Sequence, residues 1–131
     1  MRLAQTFATL LAVLPLPVMA ETPMTGAEFD AYATGKTLTY AYGGMVFGTE
    51  EYLPGRKVRW AFTESECQFG RWYEKETQIC FVYEQDMDEN CWQFFDTPTG
   101  LRAMFMDGGT ELSEVEQTDK GLGCPGPDVG A

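Results

Sequence analysis

Four cysteines, twenty carboxylates, a dense set of aromatic rings and no histidine define the chemistry open to this 131-residue chain. Without histidine, Ser-His-Asp and Cys-His nucleophiles and imidazole-ligated metals are excluded. The thiols are Cys67, Cys80, Cys91 and Cys124, with no Cys-x-x-Cys pair among them, so they read as structural rather than redox-active. Carboxylate pairs for glycoside hydrolysis are the main catalytic option left, yet no spacing among the acids singles out two of them. The stretch Asp86-Met87-Asp88-Glu89-Asn90 has the oxygen spacing that opens a calcium loop. Its sixth position is Cys91 instead of glycine, and no glutamate stands at the twelfth. A non-enzymatic protein with no metal and no cofactor is the expectation.

Binding chemistry is better represented. Tyr40, Tyr42, Trp60, Trp72, Tyr83 and Trp92 are spread over successive alternating segments, and Phe, Trp and Tyr together make up 14% of the chain. Rings at such positions fill the inside of a small barrel. A partly open interior would instead accept a small apolar ligand, with Tyr hydroxyls and Trp N–H groups orienting it. A barrel this small holds packed side chains or one ligand, and so many rings favour packing. Arg71, set among aromatics, would anchor a ligand carboxylate if it pointed inward. The alternation around it, Phe69-Arg71-Tyr73 against Gln68-Trp72, leaves its direction open.

These residues must be positioned by short strands. Turn signals recur about every ten residues, at Gly43-Gly44, Pro54-Gly55, Glu64-Ser65-Glu66, Lys75-Glu76-Thr77, Gln85–Asn90, Pro98-Thr99-Gly100 and Asp107-Gly108-Gly109. Between them Leu38, Tyr40 and Tyr42 share one face, as do Val58, Trp60 and Phe62, and Ile79, Phe81 and Tyr83. Thr25-Gly26-Ala27-Glu28 has capping-box spacing and opens a helix near residues 26–34, with Gly35 as its stop. About eight antiparallel strands in meander order after a helix are best satisfied by an all-β up-and-down barrel, which leaves no free edge. A two-sheet β-sandwich is the alternative.

Two finer expectations concern pairing. A turn at Pro54-Gly55 would set Leu53 against Arg56 and hence Glu50 against Arg59, a solvent-side ion pair. Arg56, Lys57, Arg59 and Arg71 would find partners among Glu50, Glu51 and Glu74. Four cysteines allow three disulfide connectivities. A hairpin with an even-numbered loop puts Cys80 directly across from Cys91, which leaves Cys67 for Cys124 and ties down the tail Gly121–Pro127.

Ahead of these elements, residues 1–20 have the form of a cleaved export signal. Arg2 precedes an apolar run from Phe7 to Leu14, and Val18-Met19-Ala20 offers small residues at a signal-peptidase site. The run is too short for a membrane span, and Pro15 and Pro17 interrupt it. Residues 21–117 form the barrel domain and 118–131 the Gly/Pro-rich tail. The full chain carries −11; all twenty acids follow Ala20 while Arg2 precedes it, so removing the signal leaves −12. That charge excludes nucleic acid and anionic membrane surfaces as partners. Disulfides and the signal together point to the periplasm or outside the cell.

The series Thr25-Gly26-x-Glu28, Gly35-Lys36-Thr37-Leu38, Gly70-Arg71-Trp72, Ile79-Cys80 and Cys91-Trp92 resembles a group of small exported alphaproteobacterial proteins of unknown function, pictured as lipocalin-like barrels. The resemblance runs from about Thr25 to Val115. It implies that Trp72 points into the core and that the Cys80–Cys91 bridge lies on the face opposite Ile79 and Phe81. Lipocalins carry Gly-x-Trp on their first strand, whereas here it falls near the fourth, and the group supplies no activity. The expected function is therefore a monomeric binding module, for a small apolar ligand or, alternatively, for a cationic protein such as a lysozyme that an acidic partner would attract.

Overall fold

The computed structural model describes residues 2–4, 8–15, 21–62 and 66–124. The proposed cleavage site at Val18-Met19-Ala20, the turn at Glu64-Ser65 and the tail from Pro125 lie outside the described residues. No helix among the described residues is long and apolar enough to cross a membrane.

One helix, α1 (Gly26–Ala33), precedes eight strands: β1 (Thr37–Tyr42), β2 (Met45–Leu53), β3 (Lys57–Ala61), β4 (Gln68–Lys75), β5 (Gln78–Tyr83), β6 (Asp86–Thr97), β7 (Gly100–Phe105) and β8 (Glu111–Thr118). Each strand pairs antiparallel with the next, and β1 pairs with β8 to close the barrel. The up-and-down barrel expected from the alternation is thus the fold, and the sandwich is excluded. The capping box at α1 forms as its spacing predicts: Thr25 Oγ1 accepts from the Glu28 amide and the Glu28 carboxylate accepts from the Thr25 amide. Gly35, at φ 88°, turns the chain out of the helix toward β1.

The helix is the barrel's plug. Phe29 is fully buried and packs edge-on against Tyr52 and Trp72, and at 4.5 Å between ring centres against Phe94. Burying such a ring contributes about 2–3 kcal/mol. The plug is held by hydrogen bonds as well as packing: Met24 N–H donates to Phe94 O, Gly35 N–H to Tyr52 O, and Gly26 N–H to the Glu74 carboxylate. Trp72 is buried beneath it, as the family resemblance implies, with the Arg56 guanidinium 4.4 Å from its ring centre.

The β2–β3 register corrects the expected pairing. Three residues turn the chain, Pro54, Gly55 and Arg56, with Gly55 at φ 77° and Arg56 at φ 60°. Leu53 therefore faces Lys57, Glu51 faces Arg59, and Glu50 faces Trp60. Because side chains alternate faces, this shift of one residue exchanges the two glutamates. Glu51 takes the outward place and pairs with Arg59 at 3.7 Å, while Glu50 enters the barrel and is 1% exposed. Arg56 pairs with Asp30 at 3.4 Å, and Glu74 holds the helix start, so neither Glu50 nor Glu74 is the ion-pair partner expected.

Both disulfides follow the expected connectivity. Cys80 lies directly across from Cys91 on the outer face of β5 and β6, opposite Ile79 and Phe81, with Cα atoms 4.0 Å apart. The intervening acidic stretch is not a loop, however. A two-residue turn at Glu84-Gln85 suffices, and Asp86–Asn90 forms the first half of β6. Cys67, just before β4, binds Cys124 at a Cα separation of 5.6 Å and draws the tail along β2, where the Leu122 amide donates to Glu51. Two disulfides favour an oxidising compartment.

The loops they close are worth about 3 kcal/mol for the hairpin and about 4 kcal/mol for the tail in the chain-entropy picture. Replacing Cys67 and Cys124 together with serine should therefore destabilise the protein more than replacing Cys80 and Cys91. Urea denaturation at one temperature measures both, and the reverse order would show that the tail bridge constrains little.

Candidate functional site

With the helix filling one end, the other end of the barrel stays open. There a cavity of about 270 Å³ runs inward from the tips of β2, β3 and β6. Its floor is built from Tyr40, Tyr52, Phe81 and Phe94, all buried; Tyr52, Phe81 and Phe94 rest on Phe29 from the other side. Trp60, Tyr83 and Trp92 form the wall, and Ala103 and Leu112 complete it. At the mouth stand Phe47, Phe62, Gln68, Asp86 and Asn90. The expectation that rings would fill the interior thus holds for the plugged half and fails for the open half.

Two glycines make this geometry accessible. Gly48 on β2 faces inward beside Trp60, and a Cβ there would overlap the indole ring. Its absence lets Trp60 lie flat across the strand. Gly70 on β4 pairs with Tyr83, and a Cβ would crowd the Tyr83 ring at 2.8 Å. Tyr83 can therefore lean across β4 toward β2. A bulge in β2 adds the third adjustment: Tyr40 pairs with Gly48 and Ala41 with Val46, which leaves Phe47 unpaired and free to turn toward the mouth.

The polar centre of the site is Glu50. Tyr83 Oη donates to Glu50 Oε1 at 2.8 Å, and no group among the described residues reaches Glu50 Oε2. Beside it Tyr40 Oη and Tyr52 Oη hydrogen-bond to each other at 2.8 Å. Burial lifts the Glu50 carboxyl well above the ordinary carboxylate range, and the Tyr83 hydrogen bond pulls it only partway back. Burial raises Tyr40, Tyr52 and Tyr83 as well, so all three phenols stay neutral. A half-free carboxyl inside an aromatic cavity can donate or accept a single oriented hydrogen bond, or balance one positive charge.

Of the residues singled out from sequence, Tyr40, Trp60, Tyr83 and Trp92 meet around this cavity. The other three do not. Tyr42 lies beyond the point where β1 changes register and is exposed at the hairpin tip. Trp72 is sealed under the plug. Arg71 points outward, across from Lys57 and 5.9 Å from the Tyr73 ring centre, so it anchors nothing inside the barrel. Sequence reasoning missed Glu50, Tyr52 and Phe47. Tyr52 carried a readable signal, since it keeps even spacing with Gly48 and Glu50, but an inward glutamate requires the register to be known first.

A metal centre is not supported. Among the described residues, the one group of suitable donors within reach of each other is Cys80, Glu89 and Cys91, and the disulfide occupies both sulfurs. Comparisons with family models, curated proteins and solved structures found no match.

The raised Glu50 fixes the sign of a pH effect. Between the carboxyl's unfolded and folded titration ranges the native state holds a proton that the unfolded state has lost, so stability falls as pH rises through that window. The limiting slope for one group is about 1.4 kcal/mol per pH unit. Glu50→Gln should flatten the decline, which urea denaturation at intervals from about pH 5 to 8 would reveal. Parallel curves for the two proteins would mean that Glu50 ionises freely in the fold.

Proposed function

We propose that this chain is an exported, non-enzymatic binding module that holds a small apolar molecule in the open half of its barrel. The observation that carries the reading is the cavity itself, about 270 Å³ walled by aromatic rings with one half-satisfied carboxyl at its centre. Predominantly apolar walls with few fixed polar groups are the general form of small-molecule sites, and this volume suits a compact ligand. The two rings at the mouth, Phe47 37% and Phe62 55% exposed, give such a ligand an apolar path inward. Residues 1–20 would route the chain to the periplasm or beyond, where the two disulfides persist. The pattern of residues from Thr25 to Val115 is consistent with the alphaproteobacterial exported group named above.

A second reading rests on the β1–β2 hairpin. Tyr42, Met45 and Val46 are exposed together at its tip, on a protein of net charge −11. An apolar tip on an acidic body suits a cationic protein such as a lysozyme. Inhibition of lysozyme by excess protein, lost on replacing Met45 and Val46 with serine, would support it; undiminished lysozyme activity would end it.

For the leading reading, titration with the neutral probe N-phenyl-1-naphthylamine should give saturable one-to-one binding with enhanced fluorescence. Ala103→Leu, which fills the cavity from the β7 side, should weaken it about tenfold or more while leaving the fold intact. Native mass spectrometry of protein taken from the periplasm should show a bound small molecule. A consistently ligand-free chain that also ignores the probe would remove the proposal.

A further inference from the structure

The cavity carries more information than its volume, because its carboxyl groups have no basic counterpart among the described lining residues. Among the described side chains that line it, the carboxylic acids are Glu50 at the centre and Asp86 at the mouth, and none is Lys or Arg. Nine aromatic rings surround the space, presenting π-faces that attract a cation once water is displaced. The protein as a whole carries −11, which raises the local concentration of cations near its surface. Glu50 Oε2 is buried and has no partner among the described residues, whereas Oε1 of the same carboxyl is satisfied by Tyr83. A buried oxygen left free in this way costs free energy in the empty protein, a cost that a donor on an incoming ligand would remove.

We infer that the pocket selects organic cations: a compact aromatic or alkyl body bearing a protonated amine whose N–H donates to Glu50 Oε2. The inference rests on the small-molecule reading above and sharpens it to a ligand class. An anion would meet Glu50 and Asp86 with nothing to balance it. A neutral molecule would leave the carboxyl's second oxygen no better served unless it too brought a donor, and it would gain nothing from the rings' quadrupoles. An N–H-bearing ammonium satisfies both features with one atom. The charge-assisted hydrogen bond is the stronger kind, and its geometry fixes the ligand's orientation with the apolar body toward Trp60 and Trp92.

A pH dependence follows. Burial raises the Glu50 carboxyl and so disfavours its ionised form in the empty cavity, and an ammonium bound beside it pulls the carboxyl back toward ionisation. The groups that face Glu50 are Tyr83 from β5, Tyr40 from β1 and Tyr52 on its own strand, with Trp60 across from it on β3. Asp86 stands farther out at the mouth on β6, and Glu114 on β8 pairs with Tyr40 along the backbone while accepting from Tyr32. The three facing phenols are held neutral by burial, which leaves Glu50 as the group whose ionisation governs amine binding at the floor.

Three isosteric probes test this on the full chain: 2-phenylethylamine, 2-phenylethanol and 3-phenylpropionate, each titrated by intrinsic tryptophan fluorescence and by calorimetry. The amine should bind about tenfold or more tighter than the alcohol, and the carboxylate should not bind. Glu50→Gln should abolish the amine's advantage while leaving the alcohol's affinity within about threefold. Amine affinity should climb as pH rises through the Glu50 titration in the native protein and stay flat in the Gln variant, the probe itself remaining protonated throughout. Tyr83→Phe, which frees Oε1 as well, should keep the preference for the amine. If the alcohol binds as tightly as the amine, or the preference survives Glu50→Gln, the charge selection is wrong while the pocket stands. If none of the three probes binds and N-phenyl-1-naphthylamine also fails, both the selection and the pocket fall together. Should Glu50→Gln not fold, the comparison of the three probes on the native protein still decides.

Discussion

The register between β2 and β3 is the constraint on which the rest of the molecule depends. A three-residue turn with two left-handed positions, Gly55 and Arg56, sets Glu51 against Arg59 on the outside and Glu50 against Trp60 on the inside. A two-residue turn would shift the pairing by one position and expel Gly48, Glu50 and Tyr52 from the interior together. The cavity would lose its carboxyl, its flat indole wall and half of its phenol pair in a single slip. Arg56 is fixed to this conformation from outside the strand pair, by Asp30 on the helix and by the face of Trp72. The residue that turns the chain is therefore anchored by the plug that closes the barrel.

That plug divides the interior into two regimes. On its side, Phe29 fills the space between four strands and leaves a close-packed core. On the other side the rings stop short of meeting, and the polar groups buried there have only one another. Tyr40 and Tyr52 satisfy each other, Tyr83 satisfies one oxygen of Glu50, and the remaining oxygen is left over. Buried polar atoms in native proteins are nearly always paired, so a leftover acceptor at a cavity wall is a departure that stability alone does not explain. Trp72 Nε1 beneath the plug also lacks a partner, so the two halves differ in that only the unmet Glu50 oxygen lines a cavity.

Much of this architecture was legible in the chain. Alternating apolar residues, regularly spaced turn dipeptides and a capping box at Thr25–Glu28 report local preferences, and local preferences survive folding. The Cys80–Cys91 pairing was legible for a similar reason, since hairpin geometry links two nearby positions directly. What was hidden depended on a single positive φ at Arg56, a residue type that gives no hint of it, and on a bulge at Phe47 that no turn residue marks. Register errors are all-or-none for facing, which is why Glu50 was assigned to the surface and Arg71 could not be oriented. Alternation groups Tyr42 with Tyr40, but Tyr42 is the last residue of β1 and stands exposed at the hairpin tip.

The Cys67–Cys124 bridge bears on the order of assembly. Synthesis runs from the N-terminus, so Cys67 emerges before Cys80 and Cys91, while its partner is the final cysteine of the chain, 57 residues later. Three pairings of the four thiols are open until one bridge has formed. The hairpin bridge, closing over 11 residues, removes both competitors as soon as β6 meets β5. Once the hairpin bridge is closed, Cys67 and Cys124 are left to each other, so the local pairing of β5 with β6 settles a bridge that joins the segment before β4 to the one after β8.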